Sequence, residues 1–147
     1  MPIRLFEPKD QAAARDLVLA GLEERFGRLT PDLNPDLDDI MQHYGRAGHL
    51  FVVAEEGQEL VGTGGLKISD GVGSMVRVSV SSQWRRKGIG KALVMHLLEL
   101  ATERHLKEVT IRTNNWPEAI ALYEQCGFTV VERGTADVVL SRQITAA

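Results

Sequence analysis

The spacing of apolar positions changes along the chain and separates helical segments from extended ones. Residues 3–6 form a short run with the pattern of a strand. Next, Leu17, Val18 and Leu22 recur at helical spacing, and Gly27 is a typical residue just after a helix. The pattern therefore predicts a strand and then a helix that begins near residue 8 and ends before residue 27.

A turn and a second, shorter helix are predicted to follow. Residues 30–34 have the composition of a turn, and Asn34 is of a type favoured just before a helix. Pro35 suits the first helical turn, where its missing N–H is not needed. Because Gly45 would stop the segment, we expect this helix to reach about Tyr44.

From residue 50 the pattern is that of strands. Runs rich in β-branched residues cover 50–55, 60–68 and 74–80. Short turn segments around Gly57 and Gly71 separate them. Closely spaced strands joined by such turns predict an antiparallel meander.

The second half of the chain alternates between helix and strand. Ile89, Leu93, Leu97 and Leu100 recur at helical spacing directly after Gly88. The remaining predicted elements are a strand over 108–113, a helix over 117–125, and strands over 128–132 and 137–141. This order predicts an α+β fold (α/β mixed), in which the sheet contains both parallel and antiparallel strands. With 147 residues and no repeat or linker, we expect one domain over residues 1–147.

Composition excludes several classes of protein. The only cysteine, Cys126, cannot form an internal disulfide, and we expect it to be a small buried apolar residue. A structural zinc site needs about four Cys or His ligands, so no metal is expected. The N-terminus lacks the apolar run of a signal peptide, and no segment has the roughly 20 apolar residues that span a membrane. We therefore expect a cytoplasmic protein with no membrane partner.

Charge is unevenly distributed. The formal net charge is −3, and with a pI near 5.8 a nucleic-acid partner is not expected. Residues 71–98 nevertheless contain no acidic side chain. Their basic residues are Arg77, Arg85, Arg86, Lys87 and Lys91. Such a segment favours a small anion such as a phosphate.

The basic residues surround a glycine-containing loop, residues 85–91, between a strand and a helix. The first N–H groups of a helix have no partner within it, and its dipole favours an anion. Gly88 and Gly90 would let a pyrophosphate approach the backbone. A Walker loop is excluded because Arg85 and Ala92 stand where glycine and Ser or Thr are needed, and a dinucleotide fingerprint because Leu93 replaces its third glycine. A basic connector whose glycines only shape a turn stays open as the alternative.

Two motifs in order resemble the GNAT superfamily of N-acetyltransferases, which use acetyl-coenzyme A. The first is [Gln/Arg]-x-x-Gly-x-[Gly/Ala], matched by Arg85, Gly88 and Gly90, with Val80 five residues before it. The later motif is matched by Asn115, Ala119, Tyr123, Gly127 and Phe128, with one extra residue between Asn115 and Ala119. The resemblance covers roughly residues 50–130, and the N-terminal third agrees only in its order of elements.

The resemblance implies a three-layer fold, in which a mostly antiparallel sheet of 6–7 strands opens into a V and packs against about four helices. It implies that backbone groups of Val78 and Val80 hold the acetyl carbonyl and the pantetheine arm, and that the Asn115 side chain contacts that arm. It assigns the pyrophosphate to N–H groups and side chains of the loop. These loop residues are Arg85, Arg86, Lys87, Gly88, Ile89, Gly90 and Lys91.

The resemblance also implies a catalytic residue. Tyr123 would donate a proton to the leaving thiolate, although a core aromatic on a helix is the alternative. Many family members carry a glutamate on the fourth strand, whereas residues 74–80 contain none. No general base is assigned; the candidates are Glu108, His43, Tyr44, His49 and a water chain.

Residues outside the motifs leave further alternatives open. Arg77 could pair with an acceptor carboxylate, or it could be a surface arginine or one salt-bridged to an N-terminal helix. The acidic segment 32–39 could border the acceptor site or be a solvated start of a helix. We expect Trp84 to lie near the coenzyme and Trp116 to anchor its helix.

The implied function is transfer of the acetyl group of acetyl-coenzyme A to a primary amine, directly within a ternary complex. The expected acceptor is a small molecule, and a protein or peptide acceptor is the alternative within the same chemistry. A non-catalytic module that senses acyl-coenzyme A is the alternative from another class. Family members often dimerise, so a homodimer stays open.

Overall fold

A computed structural model describes residues 2–27 and 34–144. The predicted turn at 30–34 and the acidic residue Asp32 lie partly or wholly outside these residues. The strands are β1 (Ile3–Leu5), β2 (Leu50–Glu56), β3 (Glu59–Ser69), β4 (Val72–Val80), β5 (Glu108–Asn114), β6 (Thr129–Arg133) and β7 (Asp137–Gln143). The α-helices are α1 (Gln11–Phe26), α2 (Ile89–Glu103) and α3 (Pro117–Gln125).

The predicted helix over residues 35–44 is not one continuous α-helix. Pro35–Asp38 forms a 3-10 turn and Met41–Gly45 a π-helical turn. Between them Asp39 is extended, with φ −153° and ψ 84°, which breaks the helical ladder. Most of residues 35–44 therefore have helical backbone, as predicted. The prediction of a single unbroken helix over these residues is wrong.

The sheet has seven strands in the order β1-β2-β3-β4-β5-β7-β6. Only β4 and β5 run parallel, connected through α2, and the other neighbours are antiparallel. This confirms the mixed, mostly antiparallel sheet and the α+β class. The predicted strands were short by one to two residues at several ends, and β6 begins one residue later than expected.

Apolar side chains form a core on each face of the sheet, which makes three layers. On one face, α2 and α3 pack through residues such as Leu93, Leu97 and Tyr123. On the other face, α1 and the turns after it pack through residues such as Val18 and Tyr44.

The sheet opens at the carboxyl ends of its two central strands. Pairing between β4 and β5 runs from Val72–Glu108 to Met75–Ile111 and stops there. Both strands continue beyond that point, to Val80 and Asn114. The V-shaped opening expected from the resemblance is therefore present.

A β-bulge lies on β4 inside this opening. Thr63 pairs with Ser79 and Gly65 pairs with Val76, so two residues of β4 face one residue of β3. Arg77, the first of the two, has a φ of +56°, which only a bulge or turn normally requires of a side-chain-bearing residue. The bulge turns the rest of β4 away from β5.

Candidate active site

Two cavities meet where β4 and β5 diverge. The first, called here the α1 cavity, has a volume of about 130 Å³. It is lined by Val18, Gly21, Leu22, Arg25, Met75, Val76, Arg77, Val78, Ser79, Ile111, Arg112, Thr113 and Tyr123. The second, called the α3 cavity, has a volume of about 240 Å³. It is lined by Gly21, Arg25, Val78, Ser79, Val80, Arg85, Gly90, Thr113, Trp116, Glu118, Ala119, Leu122 and Tyr123.

The two cavities share one wall. Six residues line both: Gly21, Arg25, Val78, Ser79, Thr113 and Tyr123. They come from α1, from the end of β4, from the end of β5 and from α3. A molecule in one cavity would therefore reach a molecule in the other beside these six residues.

Helix α1 can approach this wall because residue 21 is glycine. A Cβ atom added there would lie 2.9 Å from Oγ of Ser79, closer than real Cβ contacts. Glycine inside a helix costs about 0.5–1 kcal/mol relative to alanine. In return, α1 approaches β4 closely enough for Gly21 to line both cavities.

Tyr123 is a largely buried residue that lines the shared wall of the two cavities. Its ring packs edge-on against Phe128, with centroids 5.9 Å apart. Burial raises the pKa of Tyr123 to about 12, although the nearby charge of Arg25 acts to lower it. Among the described residues, none makes a hydrogen bond to this hydroxyl. The group is thus protonated at neutral pH and its proton is available to a ligand.

The loop over residues 85–91 presents the N-terminus of α2 to the α3 cavity. Arg86 and Gly88 both have positive φ, +63° and +79°. A Cβ atom at Gly88 would meet nothing within 4 Å, so conformation, not space, calls for glycine there. No described side chain caps the first turn of α2. Its N–H groups are therefore free to bind an anion.

The structure brings some of the predicted coenzyme-binding residues together and leaves others apart. Val78, Val80, Arg85 and Gly90 line the α3 cavity with Tyr123. The predicted residues that do not line it are Arg86, Lys87, Gly88, Ile89, Lys91 and Asn115. Asn115 is exposed, and its N–H donates to the carbonyl of Ala136 at 3.3 Å. Ile89 is buried in the core.

The guanidinium of Arg85 bridges the loop and α1. It forms an ion pair with Glu24 and lies 3.4 Å from the carbonyl oxygen of Val80. Arg85 lines the α3 cavity together with Gly90, whereas Glu24 does not line it. A phosphate entering the cavity there would compete with Glu24 for Arg85.

Arg77 is paired inside the protein. Its Nη2 and Nε lie 2.8 and 3.1 Å from the two carboxylate oxygens of Asp36. The hydroxyl of Tyr44 donates to the same carboxylate at 2.7 Å. Although burial opposes it, the hydrogen bond from Arg77 holds the pKa of Asp36 below its usual value. Among the alternatives for Arg77, an ion pair within the protein is the one observed. It joins the bulged residue of β4 to the turn that carries Asp36.

The candidate bases do not line either cavity. Glu108 begins β5 at the closed end of the V and accepts a hydrogen bond from Ser141. His49 accepts from the N–H of Ile68, and Tyr44 donates to Asp36. His43 is exposed. No acidic residue occurs among the described residues that line the α1 cavity.

Arg25 and Trp116 are site residues that the motifs did not reveal. The guanidinium of Arg25 lies over the Trp116 ring, 5.5 Å from its centroid. Helical spacing places Val18, Leu22 and Arg25 on one face of α1, and this is the signal that could have located Arg25. Trp84, expected near the coenzyme, donates to Glu59 outside both cavities.

Three further expectations concern the cysteine, metal ligands and membrane-spanning helices. Cys126 is buried as expected, and burial raises the pKa of its thiol. Over residues 2–27 and 34–144, no group of three or more His, Cys, Asp or Glu could hold a metal ion. In the same part of the chain, no helix has the length and apolar character needed to cross a membrane.

Comparison of the sequence with known proteins gives a consistent result. The model of the Acetyltransferase (GNAT) family matches residues 15–128. The chain is 40% identical over 103 residues to the mouse probable N-acetyltransferase family 8 member 5, which covers 65% of this chain and 45% of that protein. It is 34% identical over 104 residues to the uncharacterized N-acetyltransferase YjgM of Escherichia coli, with 67% and 62% covered. The chain thus spans about half to three-fifths of the length of these relatives.

Solved structures share the fold at low sequence identity. A GNAT-family acetyltransferase from Staphylococcus aureus Mu50 superposes with a TM-score of 0.88 at 21% identity, over 98% of this chain and 99% of that one. The PaiA N-acetyltransferase of Thermoplasma acidophilum, in complex with coenzyme A, gives 0.83 at 15%, over 97% and 98%. The ribosomal-protein-S18-alanine N-acetyltransferase of Escherichia coli gives 0.79 at 19%, over 99% and 95%.

Proposed function

Because the chain belongs to the GNAT family of acetyltransferases, we propose that it transfers the acetyl group of acetyl-coenzyme A to a primary amine. Transfer is direct, within a ternary complex of protein, acetyl-coenzyme A and acceptor. The observation that carries the proposal is the meeting of two cavities at a shared wall that contains Tyr123. One cavity suits the coenzyme and the other the acceptor, so the thioester and the amine would meet at that wall.

The α3 cavity is the proposed coenzyme site. It extends from Gly90, at the start of α2, to Tyr123. The free N–H groups at the start of α2 suit a pyrophosphate, and N–H groups and side chains of residues 85–91 would bind it. A neighbour of the same fold, PaiA, was solved with coenzyme A. Asn115 stays a proposed contact to the pantetheine arm near the surface.

The divergent end of β4 is the proposed site of the thioester. Backbone groups of Val78 and Val80 would hold the acetyl carbonyl and the pantetheine arm. Pairing with β5 has ended at Met75, so this part of β4 has one edge open to a ligand. Charge develops on the carbonyl oxygen as the amine attacks, and a fixed N–H donor stabilises it.

Tyr123 is the proposed acid for the leaving thiolate. Its pKa of about 12 keeps the hydroxyl protonated over the neutral range. A thiolate, whose conjugate acid has a pKa near 8.5, is a weaker base than this phenolate. The hydroxyl therefore stabilises the thiolate chiefly by donating a hydrogen bond, and Arg25 assists by lowering the pKa of the phenol.

The acceptor amine must lose a proton, and no carboxylate lines the described wall of the α1 cavity. We propose that the proton leaves through water at the open mouth of this cavity. Activity should then rise with pH as the acceptor amine itself deprotonates, with no separate enzyme base in the profile.

Calorimetric titration of acetyl-coenzyme A into the purified protein is the first test, with ATP and NAD as controls. We expect acetyl-coenzyme A to bind saturably and ATP and NAD not to bind. Release of coenzyme A is then measured with a panel of primary amines. Binding without release from any amine would favour the non-catalytic acyl-coenzyme A sensor, and no binding would overturn both functions.

The class of acceptor is a separate part of the proposal. A small molecule is favoured because the α1 cavity, at about 130 Å³, is smaller than the roughly 300–1,000 Å³ of pockets for drug-sized ligands. A protein acceptor is the alternative, and one structural neighbour is a ribosomal-protein N-acetyltransferase. Incubation with a ribosomal-protein fraction and labelled acetyl-coenzyme A distinguishes a small-molecule acceptor from a protein acceptor.

We also propose that the protein forms a homodimer. Size-exclusion chromatography with light scattering measures its mass in solution and tests this.

A further inference from the structure

The charged groups in the wall of the α1 cavity are all arginines. They are Arg25, Arg77 and Arg112, and no acidic residue accompanies them among the described lining residues. The remaining wall is largely apolar: Val18, Leu22, Met75, Val76 and Ile111. A cationic acceptor would be repelled by this wall, whereas one that carries an anion and an apolar group would be attracted.

Two of the three arginines are already neutralised by the protein. Arg77 forms its ion pair with Asp36, and Nη1 of Arg112 lies 3.0 Å from a carboxylate oxygen of Asp137. Within the described residues, no carboxylate lies within 4 Å of the Arg25 guanidinium. Arg25 is therefore the arginine of this wall that has no ion pair among the described residues, although its charge also acts on Glu24.

Arg25 is an exposed residue whose guanidinium has one aromatic contact. Its guanidinium stacks on Trp116 through one face, which leaves the N–H groups at its edge free to donate. It is one turn of α1 beyond Gly21, where the helix approaches Ser79. It lines both cavities with Tyr123, and so lies where the acceptor amine would meet the thioester.

We propose that the acceptor is a free amino acid with an apolar side chain and that Arg25 binds its carboxylate. This rests on the proposed acetyl transfer and names the class of acceptor for it. A guanidinium binds a carboxylate through two parallel N–H donors, which orients as well as attracts it. The carboxylate of an amino acid is one carbon from the amine, so holding it at Arg25 places the amine at the shared wall. The amino terminus of a peptide has no such carboxylate, and a polyamine has none at all.

The test compares amino acids with their primary amides as acceptors. L-leucine, L-methionine and L-phenylalanine are each measured against L-leucinamide, L-methioninamide and L-phenylalaninamide, by release of coenzyme A. The amide keeps the amine and the side chain and removes only the charge. We expect kcat/KM to favour the acids by about tenfold or more, as a charge-assisted bidentate contact requires. The amine of an amide is less basic than that of the acid, so a larger fraction of it is neutral and able to attack at neutral pH. This difference alone would favour the amides, which is the opposite of the expected result.

Variants of α1 connect the preference to one side chain. Arg25→Gln is expected to remove the preference by raising KM for the acids about tenfold while KM for the amides is unchanged. Arg25→Lys should retain part of it, since the charge is kept and the paired donors are lost. Arg15→Gln is the matched control, because Arg15 is on the same helix, pairs with Asp38 at 3.4 Å and lines neither cavity.

A second readout needs no turnover. N-acetyl-L-leucine and N-acetyl-L-leucinamide are titrated into the protein saturated with coenzyme A, and the acid is expected to bind more tightly unless Arg25 is replaced. Equal use of acids and amides, or a preference that survives Arg25→Gln, overturns the inference and leaves acetyl transfer intact. Release of coenzyme A from no acid, amide or simple amine overturns both proposals together.

Discussion

At the scale of single residues, Tyr123 is the side chain on which the proposed chemistry depends most. Tyr123→Phe removes only the hydroxyl and keeps the ring packed against Phe128. We expect kcat to fall about 10²–10³-fold, the usual effect of removing one hydrogen-bond donor from a group on which negative charge develops. The dissociation constant for acetyl-coenzyme A should change less than about twofold, since little binding energy resides in one uncharged hydrogen bond.

The other tyrosine of the chain supplies the control for this substitution. Tyr44 donates to Asp36 and lines neither cavity. Because this hydrogen bond is to a charged carboxylate, Tyr44→Phe should lower the free energy of unfolding by about 1.5–3 kcal/mol and leave kcat within a few-fold. A Tyr123→Phe protein with wild-type turnover would remove this hydroxyl from the mechanism.

The sequence motifs predicted part of the site and missed the part that comes from α1. Val78, Val80, Gly90 and Tyr123 could be grouped because their spacing along the chain is diagnostic. Arg25 could not be grouped with them, because its position depends on how closely α1 approaches β4. That approach depends on residue 21 being glycine, and no local sequence pattern relates this glycine to the cleft.

At the scale of elements, the approach of α1 to β4 gives the next prediction. Gly21→Ala should be stabilising by helix propensity alone, yet its Cβ would lie 2.9 Å from Oγ of Ser79. We expect a net loss of about 1 kcal/mol or more in the free energy of unfolding, as for other overpacked contacts. Chemical denaturation measures it.

The neighbouring serine tests whether this contact is the cause. In the Gly21→Ala, Ser79→Ala double variant the hydroxyl is gone, so much of the lost stability should return. Simple additivity of the two single variants would show that the loss has another origin.

The start of α2 gives a prediction for coenzyme binding. Gly90→Glu places a carboxylate beside the N–H groups proposed to bind pyrophosphate, and we expect affinity for coenzyme A to fall more than about tenfold through charge repulsion. Gly90→Ala is the control. Its Cβ would have ordinary contacts, the nearest to Leu122 at 3.6 Å, so binding should be nearly unchanged. Wild-type affinity in a folded Gly90→Glu protein would move the pyrophosphate site elsewhere.

The helices and strands were predicted correctly where the spacing of apolar residues agreed with the proline and glycine residues that begin and end an element. The predicted bounds of α3 match, since Pro117 and Gly127 mark both ends. The segment after residue 34 was harder. Its proline and terminal glycine suggested one helix, but the turn carrying Asp36 must reach Arg77 across 41 residues of sequence. That long-range pair, together with the break at Asp39, outweighs local helix propensity.

At the scale of the whole molecule, two carboxylates tie down the N-terminal part of the chain: Asp10 is buried and Asp36 is half-buried. Asp36 links the 3-10 turn after α1 to β4. Asp10 accepts hydrogen bonds from the two terminal nitrogens of the Arg4 guanidinium, at 2.7 and 2.9 Å. Burial acts to raise the pKa of Asp10, but the hydrogen bond from Arg4 outweighs it, so the net shift is downward. The same balance lowers the pKa of Asp36.

These lowered pKa values predict how stability depends on pH. A carboxyl group whose pKa is lower in the folded state stabilises the fold fully above its unfolded pKa, near 3.9. That stabilisation is lost as the pH falls through the lower, folded pKa. The free energy of unfolding should therefore decline below about pH 4.

Asp10→Asn isolates one of the two groups. At pH 7 we expect a loss of about 2–3 kcal/mol, the usual value for a hydrogen bond to a charged group. Its stability should also depend less on pH between about 4 and 2 than that of the wild-type protein. Urea denaturation across this range measures both, and an unchanged slope would contradict the assignment to Asp10.

The short contact between β4 and β5 also bears on the order of folding. Four residue pairs join these strands, from Val72–Glu108 to Met75–Ile111, and on either side of them every strand pairing is antiparallel. Pairs formed by neighbouring strands need only small loops to close, whereas the parallel pair must wait for the whole of α2 to cross over. As the chain leaves the ribosome, β2, β3 and β4 can assemble before β5 exists. The line along which the sheet opens therefore separates three strands that can pair early, β2 to β4, from three that emerge later, β5 to β7.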